Sequence, residues 1–146
     1  MGMYTQFSFT FSLKDDTPIK IINILEYLID SENNRLPFIS MNENDKLFNT
    51  KTKRFQYMLN TSSCYFTDIS YATLQHNKCG GYSAFHCIAS IKNYDNDIEL
   101  FIDFVKDYIY LHGEEKLFVG WSRYEEDEKP ILYYLYDNNI ISKKED

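Results

Sequence analysis

Glycine occurs five times in 146 residues, proline three times, arginine three times and tryptophan once. So little glycine leaves scant material for a phosphate cradle. The chain contains no Gly-x-Gly-x-x-Gly, no loop ending Gly-Lys-Ser or Gly-Lys-Thr, no Gly-x-Ser-x-Gly and no His-Glu-x-x-His, so the common enzyme signatures are missing. The single glycine pair, Gly80-Gly81, is explained by hairpin chemistry. No run of about 18 apolar residues is present, and the opening MGMYTQFSFTFSL alternates where a secretory segment would be continuously apolar. A soluble, unprocessed chain is expected. Cys64, Cys79 and Cys87 are odd in number and irregularly spaced, which suits reduced thiols in a cytoplasm better than a disulfide framework. Basic residues are short as well: Lys+Arg total 15 against Asp+Glu 22, a net charge of -7, which argues against direct binding to nucleic-acid phosphates.

What is abundant is apolar and aromatic surface, 44% and 17% of the residues. That composition and length describe one globular domain, 1–146, able to bury a core without a structural metal or disulfide. No repeat of about 20 to 50 residues interrupts it. Residues 4 to 14 place Phe7, Phe9, Phe11 and Leu13 on one side and Gln6, Ser8, Thr10 and Ser12 on the other, a half-buried strand. Asp16-Thr17-Pro18 then opens a helix to about residue 30, carrying Ile21, Ile24, Leu25, Leu28 and Ile29 at helical spacing. Residues 31 to 53 read as a long irregular excursion anchored by Leu36, Phe38, Ile39, Leu47 and Phe48. From Arg54 to Phe66 the alternation of Phe55, Tyr57 and Leu59 predicts extended chain. A hairpin joins about 69–76 with 82–92. Acidic residues from Asn93 to Asp97 start a second helix, whose stripe runs Ile98, Phe101, Ile102, Val105, Tyr108, Ile109 to a Gly113 cap. A last hairpin pairs the strand at Leu117, Val119 and Trp121 with 131–136, and Ser142 to Asp146 is a frayed end. The expected fold is α+β: a two-layer sandwich, ferredoxin-like in outline, with a mainly antiparallel sheet of about five strands and two helices on one face.

Chemistry is harder to place. Cys64, His76, Cys79, His86 and Cys87 offer enough donors for zinc, but His86 and Cys87 are neighbours pointing to opposite faces of a strand, so neither metal nor cofactor is expected. Pairing Cys64 or Cys79 with His86 or His112 as a nucleophile needs geometry the sequence does not supply. The aromatic residues say more. Tyr133 and Tyr134 must face opposite sides of the sheet, so some of Trp121, Tyr124, Tyr133, Tyr134 and Tyr136 are exposed, with Arg123 among them. Such rings serve a partner or cover the second sheet face within a homodimer. The run Glu125-Glu126-Asp127-Glu128 is a solvated turn or a docking knob for a basic surface, and Asp95, Asp97, Glu99, Asp103 and Asp107 add to the same field.

Three segments, RFQYMLNTSSCYF, IKNYDNDIELFIDFV and GWSRYEEDEKPILYY, together resemble small uncharacterised accessory proteins of bacteriophages and prophages in low-GC bacteria. The resemblance implies a cytoplasmic protein of the infected cell that inhibits antiviral defence without catalysis. It would occlude a defence protein with its acidic and aromatic surface, or sequester a nucleotide signal by stacking and phosphate pairing at Arg54, Tyr57, Trp121, Arg123 and Tyr124. The competing classes are a nucleotide-cleaving hydrolase built on His86 or His112 with an acid, and a phage assembly partner. No membrane association is expected.

Overall fold

The computed structural model describes residues 3–30, 46–61, 70–76 and 82–144. Alternation makes strand β1 (Thr5–Leu13), with Phe7, Phe9, Phe11 and Leu13 buried on one face. Pro18, with φ of -58°, leads into helix α1 (Ile19–Ile29), whose Ile21, Ile24, Leu25 and Leu28 are buried. Strands β2 (Tyr71–His76) and β3 (Ser83–Ile91) follow. The Asn93 side chain then accepts the Ile98 N–H at 2.9 Å and opens helix α2 (Asp97–Val105). The chain finishes with β4 (Ile109–Tyr110), β5 (Lys116–Tyr124), β6 (Ile131–Tyr136) and β7 (Asn139–Lys144).

The described strands belong to one antiparallel sheet in the order β2-β3-β1-β5-β6-β7, with β4 set against the end of β1. β1 is central: it pairs with β3 from Thr5↔Ile91 to Leu13↔Ser83 and with β5 from Thr5↔Tyr124 to Phe9↔Gly120. Both helices cover the Phe7/Phe9 face. The Phe101 ring of α2 lies 6.0 Å from Phe9 and 5.7 Å from Phe85, and Ile24, Leu25 and Leu28 of α1 join the same buried cluster. Gly120 sits where β5 is irregular: a Cβ there would meet the Ser8 carbonyl at 2.1 Å and Phe9 Cα at 2.9 Å, so only glycine lets β5 approach β1.

Several expectations are corrected. The α+β class and two helices are present, but among the described residues the sheet has seven strands rather than about five. The additions are the two-residue β4 and β7, which takes up most of what reads as a frayed end. β7 exists because Asp137 and Asn138 both adopt positive φ, 51° and 61°, in a two-residue turn that folds the chain back on β6. Residues Arg54–Tyr57 form a 3-10 turn instead of extended chain, because Phe55, Met58 and Leu59, three and four apart, are all buried together. α2 stops at Val105: after a 3-10 turn, Ile109 and Tyr110 leave the helical path to pair with Leu13 and Ser12. Leu36, Phe38, Ile39, Cys64, Phe66, Cys79 and the Gly80-Gly81 turn lie outside the described residues.

Candidate functional site

The expected site residues fall in two places. Arg54 and Tyr57, on opposite ends of the 3-10 turn, line a cleft with Tyr4, Thr61, Ile91 and Lys92, where β1 begins and β3 ends. The register explains the meeting. Thr5 pairs with Ile91, so Tyr4 and Lys92 lie beside one another one step beyond the paired strands. The Lys92 ammonium stands 5.7 Å from the Tyr4 ring centre, and the Arg54 guanidinium lies 5.1 Å from that of Tyr94. Arg54 also donates to the Thr52 hydroxyl at 3.2 Å. Thr52 in turn gives its hydroxyl and, at 3.1 Å, its backbone N–H to Asp95. Those bonds hold the Asp95 carboxyl below its usual range, helped by Arg54 and Lys51.

Tyr124 and Glu125 meet the same end of the sheet from β5. The Glu125 carboxylate accepts the Tyr4 N–H at 3.2 Å while the Glu125 N–H donates to the Tyr4 carbonyl at 3.0 Å. Glu125 is therefore a strap on the N-terminus of β1, leaving Glu126 and Glu128 as exposed members of the acidic turn. Burial and the carboxylates of Glu126 and Glu125 raise the Tyr124 phenol.

Trp121 and Arg123 are elsewhere. They stand opposite Ser8 and Gln6 on the sheet face away from the helices, and neither lines the cleft. That face changes character across the sheet. On β1 it shows Ser8, Thr10 and Ser12, as expected of a solvated face. On β5, β6 and β7 it shows Phe118, Trp121, Leu132, Tyr134 and Ile141, a contiguous apolar patch by register. Phe118 and Ile141 are 48% and 40% exposed, and the Phe118 and Tyr134 rings pack at 5.4 Å. Lys116 caps Tyr134 at 4.5 Å.

The acidic helix contributes less outward charge than its sequence implies. Asp97 is fully buried with neither carboxylate oxygen hydrogen-bonded, and burial, with Asp95 nearby, pushes it up to about 6. Asp103 pairs with Lys106 at 3.0 Å. His86 bonds to Thr10 at 2.6 Å and His112 packs on Tyr110 at 4.5 Å. Among the described residues His76 meets the Glu26 carboxylate at 3.5 Å, on the surface. No group of three His, Cys, Asp or Glu among them suits a metal ion. Cys87 is wholly buried and its thiol is raised to about 12. No described helix is long and apolar enough to cross a membrane.

Sequence reasoning passed over Tyr4, Thr61 and Lys92, which line the cleft, and Thr52 and Tyr94, which contact Arg54. The signal for Tyr4 and Lys92 was strand register, which no single segment contains.

No known protein family, curated protein or solved structure matches the chain.

Proposed function

We propose that this protein is a non-catalytic binding protein of the phage accessory type, which inhibits a bacterial antiviral defence system by occluding a defence protein. The observation that carries the reading is the apolar patch on the helix-free sheet face: Phe118, Trp121, Leu132, Tyr134 and Ile141 form one surface with Arg123 at its edge. Partly exposed rings with an arginine at their edge are the residue types that concentrate binding energy in an interface. The exposed Glu126 and Glu128 beside it would steer the patch toward a basic partner, such as a nucleic-acid channel, in a salt-dependent manner. The resemblance of three segments to phage and prophage proteins supplies the biological setting. We read the succession β1-α1-β2-β3-α2-β5, with β5 and β2 outermost around β1 and β3, as a ferredoxin-like frame extended by the β6-β7 hairpin.

The test is phage plating on a defended bacterial strain that expresses the chain. Plating should rise with the wild-type protein and fall back with Trp121→Ala plus Tyr134→Ala, while both proteins accumulate equally. Equal plating with the double variant overturns the patch as the inhibitory surface. A nucleotide panel converted to product with many turnovers per molecule would favour a hydrolase.

A further inference from the structure

On a chain of net charge -7, two cations from separate elements converge in one cleft enclosing about 170 Å³. We propose that this cleft binds a nucleoside monophosphate, its phosphate between Arg54 and Lys92 and its base against the ring of Tyr57. The proposal is independent of the occlusion reading.

Cation availability is the first argument. Among the described residues neither Arg54 nor Lys92 forms an ion pair; each instead rests on a tyrosine ring, Tyr94 and Tyr4. Stacking occupies the face of a guanidinium and leaves its N–H edge able to grip a phosphate, and Thr52 uses only one nitrogen of that edge. Shape is the second. Pockets that enclose a drug-sized ligand span about 300 to 1,000 Å³. This cleft is smaller, so it closes on a phosphate and sugar and leaves the base at the rim. There Tyr57 is 46% exposed and offers an aromatic face, a sequence-tolerant platform for any base. Its floor is the buried, apolar Ile91.

Charge then limits the ligand. Asp95 and Asp97 share the field of Arg54, so a single phosphate is balanced by the two cations where a triphosphate would meet net repulsion. The overall negative charge likewise disfavours a polynucleotide over a mononucleotide.

Calorimetric titration of the full chain with adenosine monophosphate, adenosine, inorganic phosphate and a single-stranded oligonucleotide tests this. The monophosphate should bind saturably, with adenosine and inorganic phosphate each weaker by about tenfold or more. Lys92→Gln, Arg54→Lys and Tyr57→Ala should each weaken it by about tenfold, with circular dichroism unchanged. Trp121→Ala should bind it as the wild type does, separating this site from the sheet face. No saturable binding at millimolar ligand overturns the proposal. So does inorganic phosphate binding as tightly as the nucleotide, an oligonucleotide binding more tightly, or full affinity in Lys92→Gln and Arg54→Lys together.

Discussion

Tyr133 and Tyr134 are adjacent in β6 and face opposite sides of the sheet. Tyr133 is 3% exposed, its ring 5.6 Å from Phe9, whereas Tyr134 packs on Phe118 on the helix-free face. One peptide bond thus divides the core from the proposed interface. That is the period-two geometry of a strand applied at a single step.

The Tyr133 hydroxyl meets the buried Ser122 hydroxyl at 2.8 Å. Tyr133→Phe leaves Ser122 without this partner and should cost about 1 to 2 kcal/mol by urea denaturation. Adding Ser122→Ala should recover part of that loss, because the orphaned group goes with it. Additive losses in the double variant would show that the pair is not coupled.

Gly120→Ala should be among the most damaging small substitutions in the chain. The new methyl strikes the Ser8 carbonyl, the Phe9 ring and the Phe9 Cα, and that ring is itself fully buried, so β5 must separate from β1. A loss of about 2 to 3 kcal/mol is expected from overpacking, read as a lower melting temperature. Gly113→Ala has open space around its Cβ but a φ of 80°, so strain alone acts and the loss should be smaller.

Asp97 gives a signed pH dependence. Its folded value of about 6 exceeds the unfolded 3.8. Its protonated form is therefore favoured by folding, and its contribution falls as pH rises from about 4 through 6 and then levels. Asp97→Asn should match the wild type near pH 3.5 and exceed it by up to about 3 kcal/mol at pH 7.5. A wild-type advantage at pH 7.5 would mean that the carboxylate has a stabilising partner.

Cys87 should resist thiol reagents. With its thiol raised to about 12 and no exposed surface, Cys87 itself, distinguished from Cys79 by fragmenting the peptide, should carry no label in folded protein at pH 8 and full label in denatured protein. Mass spectrometry of the digested chain reads this directly.

Much of the frame was legible in the sequence because burial was written as a period. Phe7 to Leu13 and Phe85 to Ile91 alternate, and Ile21 to Leu28 recur at helical spacing, so each element carries its own pattern. Where two periods competed, position in the fold decided. Phe55, Tyr57 and Leu59 alternate like a strand, yet Phe55, Met58 and Leu59 are what the core takes, and the chain turns. Tyr108 and Ile109 continue the stripe of α2, but β1 had an open edge position at Leu13 and Ser12 that Ile109 and Tyr110 filled. The turn at Asp137-Asn138 was passed over, although both residue types tolerate positive φ, and it accounts for β7.

The site divides along the same line. Sequence alone determined that the rings of β6 split between two faces, that the chain is acidic, and that Trp121 and Arg123 are candidates, since these follow from residue type and local period; Arg54 and Tyr57 were candidates only through the resemblance. Only the tertiary structure decided which of them stand together. Arg54 and Tyr57 joined Lys92 and Tyr4, while Trp121 and Arg123 went to the other face. Asp97 was drawn inside and Glu125 was tied to Tyr4. Strand register and helix placement bring residues far apart in the chain into contact, and no local pattern encodes that choice.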